Sequence, residues 1–513
     1  MRTRLGQLAL VLLALPAVWQ ITLLLVTVAR RFLYPYDLEW MEGGLLTHAL
    51  RYMSGRDLYT PPTVDFVPYL YTPLYPALLA GVGKLVGLSY QLGRGVSIVS
   101  MLAVMALAAT AILRERGATR WPALLGASAS IGLFAATYPW VEGWYDLVRA
   151  DTLFLAVALG GLVALRARRV ALAAALLGLS FFVKQTGVLF VLAGAAVLVA
   201  TAWRQLPLYT LVAGAIGGGG SFVYNRLSGG WFWTYVFSIH QQHDTNGDRF
   251  WKSFGNILFH FPAMTSVIAA GLALVAVATI RRRLSRPSAG FLYWTWMFAC
   301  GCLVGALGWA TQWAHFNSYI PAMTLGAIAA GCAVAAGAEA AGELFGAARV
   351  PVGVALAAAL AAQLATQHWS PKKLIPTAAD RQAGDRLVER LRVIDGEVLM
   401  PYHPWYAVLA GKQPFVHRMG ILDVTYASPP SANKRSLPAQ ARHVKGLGEA
   451  ISARRFAAIV LDKDAAQTFE LPGLGEAYQL GARLSPGESP RSFSGAPTAP
   501  RVLLVPRQSR VSR

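Results

Sequence analysis

Apolar residues fill this chain in long unbroken runs, with little of the alternation that marks strands or the striping that marks surface helices. Such runs lie near 8–29, 94–113, 121–138, 152–165, 170–184, 187–203, 206–224, 262–280, 291–310, 319–337 and 350–367. A bilayer crossing needs about 20 apolar residues in a helix. The pattern therefore predicts a mostly α, polytopic helical membrane protein of about eleven spans. The first run follows Arg2 and Arg4, is too long for a signal segment, and reads as an uncleaved helix.

Two stretches need arbitration. As one helix, 170–203 would be about 50 Å long and would hold Lys184 at mid-membrane. Basic residues flank both ends, so the spacing predicts a hairpin of two short helices with Lys184 and Gln185 at its outer tip. The stretch 69–90 is apolar but holds Pro73, Pro76 and Lys84, which predicts a helix lying at, or dipping into, the outer membrane face.

Beyond residue 369 the pattern changes. Asp380–Val393 reads as an amphipathic helix, and Glu397–Met400 and Ala457–Leu461 as strands, the second running on into Asp462-Lys463-Asp464. The expectation is a body over 1–369, a small soluble α/β domain over 370–485, and a poorly ordered Pro-, Ser-, Gly- and Arg-rich end over 486–513, apart from Arg501–Val505.

Composition sharpens this. The chain has 513 residues, 55% hydrophobic and only 14% charged, against roughly 25% in a soluble domain. That excludes a soluble enzyme, a fibrous protein and a disordered one. Cys300, Cys302 and Cys332 all lie in apolar runs, so no disulfide framework or metal cage is implied.

The net charge is +21, divided as +12 over residues 1–369 and +9 over the rest. Nucleic acid is not an expected partner, because the body's basic residues fall between spans, where topology and anionic membrane lipid account for them. Clusters at Arg114, Arg116 and Arg120, at Arg166, Arg168 and Arg169, and at Arg281, Arg282, Arg283 and Arg286, with Arg204, share the side of Arg2 and Arg4. The positive-inside rule puts that side in the cytoplasm, and eleven spans then put the C-terminal domain outside a plasma (inner) membrane.

The scarce acids now become informative. Of 13 in the body, only Glu115, Glu339 and Glu343 fall on the cytoplasmic side. The others gather in outer loops or at their membrane edge, where a sugar or metal would be handled. The first outer loop, roughly 30–93, opens Tyr34-Pro35-Tyr36-Asp37-Leu38-Glu39-Trp40-Met41-Glu42-Gly43-Gly44. It runs on through Ser54-Gly55 and Tyr59, then Pro73, Tyr75-Pro76 and Gly93-Arg94. A later span opens with Arg149-Ala150-Asp151.

In order and topology these motifs, with Lys184-Gln185, resemble the GT-C membrane glycosyltransferases. The nearest branch is that of protein mannosyltransferases, aminoarabinose transferases and Rgt-type galacturonosyltransferases. The resemblance covers roughly residues 1–340. It implies transfer of a sugar from a polyprenyl-phosphate donor to a lipid, glycan or protein acceptor at the outer face, inverting the anomeric carbon. A carboxylate would act as general base. The family often carries a tight Asp-Glu pair; here Leu38 separates Asp37 from Glu39, so either is a candidate base. Thr72 stands where a lysine commonly precedes the juxtamembrane proline. Lys184, Arg94 and Arg149 are candidate cations for the lipid phosphate, with Asp151 and Gln185 beside them and Glu42 in support.

His240 and His243, with Asp244 and Asp248, lie in another outer loop. They leave a divalent cation open as a cofactor, against the plainer reading of acceptor contacts or polar loop residues. His315 and Asn317 are candidates to line the cavity, and His403 and His417 have no evident sequence partner. The alternative functions are a transporter or flippase of a lipid-linked or anionic solute, and a non-catalytic assembly protein. Transporters usually show inverted repeats and mid-membrane charges, and this sequence shows no repeat.

Overall fold

A computed structural model describes residues 4–115, 117–281, 285–425, 437–463 and 471–508. Arg2, Arg116, Arg282, Arg283 and Asp464, singled out above, lie outside the described residues.

Every expected apolar run is helical. α1 (Arg4–Phe32) leads into the first long loop, which holds α2 (Glu42–Met53) and α3 (Leu74–Val86). α4 (Tyr90–Arg114), α5 (Trp121–Thr137), α6 (Asp151–Arg166), α7 (Val170–Val183) and α8 (Gly187–Ala202) follow. α9 (Leu206–Gly214) continues through a π-helical turn into α10 (Gly220–Leu227). The short α11 (Trp231–Trp233) and α12 (Gly247–His260) precede α13 (Pro262–Arg281), α14 (Arg286–Ala310), α15 (Ile320–Phe345) and α16 (Arg349–Thr366). Among the described residues, six helical segments are long and apolar enough to cross a membrane, and two of these, Gly187–Leu227 and Phe316–Thr366, each contain two of the expected runs.

α15 is the hub of the bundle and packs against α5, α13, α14 and α16. Its sequence is built of Ala and Gly, and almost all of it is buried. Small residues matter in lipid because helices there gain from close van der Waals approach. A Cβ on Gly126 of α5 would stand 2.2 Å from the Gly331 carbonyl oxygen of α15, so only glycine permits this crossing.

The C-terminal region holds α17 (Ala378–Arg392), α18 (Pro404–Leu409), α19 (Arg418–Thr425), α20 (Leu447–Ser452) and α21 (Leu474–Ala477) around one sheet. α17 starts on a capping box, in which Thr377 and Asp380 each satisfy the other's backbone N–H. The strands are β1 (Val398–Leu399), β2 (Ala458–Leu461), β3 (Tyr478–Arg483) and β4 (Val502–Pro506), in the order β1-β2-β4-β3. β1 runs parallel to β2, and β4 is antiparallel to both its neighbours, with Ile459 opposite Leu504.

Two expectations change here. The C-terminal region is not set apart from the body. One continuous apolar cluster joins Leu58, Tyr59 and Val67 of the first loop to Phe232 and Tyr235, and on to Ile459 and Leu504 of the sheet. Nor are the described residues after Pro486 loose: the backbone N–H groups of Phe493 and Ser494 both donate to the Leu38 carbonyl, at 2.8 and 2.9 Å. Low hydrophobicity suggested disorder, but this stretch draws its order from backbone bonds to a loop some 450 residues upstream.

The α5–α15 crossing yields a test. Gly331→Val should cost at least about 1–3 kcal/mol through overpacking, read as a lower melting temperature of the detergent-purified protein. An exposed Gly→Val change elsewhere should not reproduce that loss.

Candidate active site

The first loop is organised around one buried carboxylate. Glu42 opens α2 with no exposed surface. Its Oε2 accepts from the Leu38 N–H (2.6 Å) and from Arg94 Nη2 (2.7 Å). Its Oε1 accepts from Arg94 Nε (3.1 Å) and from the Val148 N–H (2.8 Å). Arg94 in turn donates to the carbonyls of Tyr34 and Tyr36. A buried ion pair repays its desolvation only when the remaining polar atoms are also satisfied, and here they are. The sequence reading made Arg94 a phosphate ligand. The structure spends its whole guanidinium on fastening the loop, and Glu42 serves the same end.

Asp37 lies one turn of chain away, buried, with Oδ1 accepting from the Gly43 N–H at 3.0 Å. Its Oδ2 meets His403 Nδ1 at 2.8 Å, and His403 Nε2 meets Asp462 Oδ2 at 3.1 Å. Both partners come from the C-terminal region, from the turn after β1 and the end of β2. Burial alone would lower the His403 pKa, but the flanking carboxylates Asp462 and Asp37 outweigh it and raise it to about 10. His403 thus sits between two carboxylates that favour its charged form. The sequence offered no hint of this pairing, because 366 residues separate Asp37 from His403. The only local signal was a histidine set among Tyr402, Pro404 and Trp405.

Glu39 points the other way, into a line of alternating charge. Its Oε2 accepts from the Met41 N–H (3.2 Å) and lies 3.5 Å from Arg149 Nη1. Arg149 also donates to the Tyr71 hydroxyl at 3.0 Å and sits over the rings of Tyr71 and Trp144. Asp151, at the start of α6, accepts from Lys184 Nζ (2.6 Å), Asn317 Nδ2 (3.1 Å) and Trp144 Nε1 (3.0 Å). Lys184 caps α7 in an extended conformation, which breaks the helix at the expected hairpin tip. Its side chain is 26% exposed, against 8% for Arg149, so it is the more accessible cation of the line. The Gln185 amide donates to the Leu70 carbonyl, tying the tip to the first loop. His315 stands 3.1 Å from Glu142 and stacks on Trp144.

Burial pushes Glu39 up to about 7, against the pull of Arg149. A carboxylate poised there exchanges protons readily at neutral pH. The structure thus brings together Glu39, Arg149, Asp151, Lys184 and Asn317, and hands Asp37 to a separate relay. Tyr71 and Trp144, which hold Arg149 and Asp151, were not singled out as functional from sequence.

The histidine loop pairs with the segment before His315, Thr245 opposite Thr311. His243 Nε2 is 3.3 Å from Asp423 of α19, His240 is exposed, and the two imidazole rings are 5.5 Å apart. The described residues contain no group of three or more His, Cys, Asp or Glu able to hold a metal ion. The His243–Asp423 contact makes this loop a second clasp on the C-terminal region. His417 is a third, its Nε2 lying 3.3 Å from the Trp40 carbonyl.

No family model matches the sequence, and no curated protein matches it. Among solved structures, the chain is similar to the crystal structure of ArnT from Cupriavidus metallidurans in the apo state. The TM-score is 0.57 at 14% identity, covering 96% of this chain and 97% of that one. The crystal structure of the same ArnT bound to undecaprenyl phosphate gives a TM-score of 0.57 at 13% identity, covering 100% of both chains. At such identities the likeness is one of fold alone: the chain shares the polytopic helical architecture of that ArnT.

Two outcomes follow from the geometry. Arg94→Met should cost about 3–5 kcal/mol by leaving Glu42 charged and buried without its partner, seen as a large drop in melting temperature. Restoring a neutral pair with Glu42→Gln in the same chain should recover part of it. For His403, a folded pKa raised from 6.5 to about 10 adds stability that is complete below about 6.5 and is lost as pH rises through about 10. The melting-temperature gap between wild type and His403→Gln should therefore shrink from pH 7 to pH 10.

Proposed function

We propose that this chain is an integral membrane glycosyltransferase that takes a sugar from a polyprenyl-phosphate donor and passes it to a lipid, glycan or protein acceptor. The observation that carries this reading is the buried line Glu39–Arg149–Asp151–Lys184, a near-neutral carboxylate beside two cations where the first loop meets α6 and α7. The shared fold with an ArnT crystallised with undecaprenyl phosphate supports a polyprenyl-phosphate donor. The arginine clusters at alternate span ends support a cytoplasmic N-terminus and an extracytoplasmic C-terminal region in a plasma (inner) membrane.

In this mechanism Glu39 is the general base. The acceptor hydroxyl oxygen bonds to the anomeric carbon from the side opposite the phosphate, which inverts that centre. The carbon–oxygen bond to the phosphate breaks, and its electron pair leaves with the lipid phosphate. The hydroxyl proton passes to Glu39. Protonation of Glu39 removes the negative charge that holds Arg149, so positive potential beside the leaving phosphate grows as the proton is taken. Lys184 is the cation most open to the phosphate. Asp37, held by His403, is a positioning residue for the loop that carries Glu39.

The test is transfer by protein reconstituted in liposomes, run with a panel of undecaprenyl-phosphate sugars. Glu39→Gln should lower the rate by about 100-fold or more. Wild-type rate should rise with pH through about 7 as Glu39 deprotonates. Lys184→Met should weaken undecaprenyl-phosphate binding. Full activity in Glu39→Gln would remove the base assignment, and movement of solute across the bilayer without sugar transfer would favour a transporter.

A further inference from the structure

The C-terminal region carries a cavity of about 720 Å³ that the mechanism above does not use. Among the described residues its wall includes Lys373, Lys463, Arg483, Arg491 and Arg501, and one carboxylate, Asp462. The cations come from five separate places in the chain: the turn after α16, the ends of β2 and β3, the loop before β4, and the start of β4. Asp462 is already engaged with His403. Arg491 lies 3.3 Å from Asp380 but keeps most of its surface open. Lys373, Lys463 and Arg501 have no carboxylate partner among the described residues.

A concave wall in which cations outnumber carboxylates focuses positive potential into the space it encloses and concentrates counter-ions there. The volume falls within the range of small-molecule sites, about 300–1,000 Å³. The lining is more polar than apolar and rich in cations, which suits a hydrated anionic group better than an acyl chain.

The cavity also lies against the site. Gly495 of its wall has φ +65°, and a Cβ there would stand 2.9 Å from Trp144 and 3.3 Å from Glu39 Cγ. Asp462 connects the cavity to Asp37 through a single imidazole. An occupant would thus lie one residue's thickness from both candidate carboxylates. The donor's phosphate has its own cations, Arg149 and Lys184, at the membrane edge.

We infer that this basin binds the anionic head group of the acceptor, one that bears phosphate or carboxylate. The C-terminal region is then the acceptor-recognition part of the molecule. This rests on the glycosyltransferase reading for the word acceptor; the anion site itself does not.

The experiment titrates inorganic pyrophosphate, and separately undecaprenyl phosphate, into the full chain in neutral detergent by calorimetry. The variants are the pair Lys463→Ser/Arg501→Ser and the charge-keeping pair Lys463→Arg/Arg501→Lys. Wild type and the charge-keeping pair should bind pyrophosphate, and the serine pair should bind it about 10-fold or more weakly. Undecaprenyl-phosphate affinity should be equal in all three. In the transfer assay, pyrophosphate should raise the acceptor KM of wild type and leave that of the serine pair unchanged. Absence of pyrophosphate binding in wild type, or equal binding in the serine pair, would overturn the basin. Basin-dependent pyrophosphate binding with no undecaprenyl-phosphate binding in any protein would keep the anion site and sink the transferase reading.

Discussion

The Glu42 carboxylate, buried and paired with Arg94, is the constraint on which the rest of the site depends. One side chain takes the N–H of Leu38 in the first loop and the N–H of Val148 in the loop before α6. Leu38 is flanked by the two candidate carboxylates, and Val148 precedes Arg149. Glu39, the proposed base, and its nearest cation are therefore set by the same anchor. Removing two full charges from water is costly, and the pair is tolerated because every oxygen and nitrogen finds a partner. What this arrangement yields is position: Glu39 and Arg149 come 3.5 Å apart although 110 residues separate them.

A second layer comes from the C-terminal region. It reaches the loops of the body through three histidines, His403 to Asp37, His417 to the Trp40 carbonyl, and His243 to Asp423. Two of these contacts bracket Glu39 along the chain. The Phe493–Ser494 backbone grips Leu38 from the far side, and the Ser494 hydroxyl accepts from Arg31, which itself pairs with Asp146. The soluble-looking part of the molecule is thus a wall of the site. Five of its basic residues, which composition alone left without a purpose, line a basin directly behind that wall.

Much of this was legible in the sequence because the signals were local. Eleven apolar runs became helices, Lys184 and Gln185 fell at a hairpin tip, Leu74–Val86 became a short helix on the first loop, and Asp380 helped cap the helix it was expected to open. The fold resemblance followed from the order of short motifs. What failed was any statement about which charge meets which. Arg94 looked like a ligand because it opens a span beside an acidic loop, yet Glu42 and the Tyr34 and Tyr36 carbonyls take all of its guanidinium. His403 looked idle because its partners lie 366 residues before it and 59 after. The end of the chain looked disordered because its composition is polar, and backbone bonds to a distant loop leave no trace in composition.

The most direct measurement is a density map of the full chain in a lipid nanodisc with undecaprenyl phosphate bound. The account predicts the phosphate within hydrogen-bond distance of Lys184, with Arg149 close behind it and the Glu39 carboxylate facing the position of the anomeric carbon. A phosphate seated instead among Arg114, Arg169 and Arg286 at the opposite ends of the helices, or against Asp37 with Glu39 turned away, would contradict it.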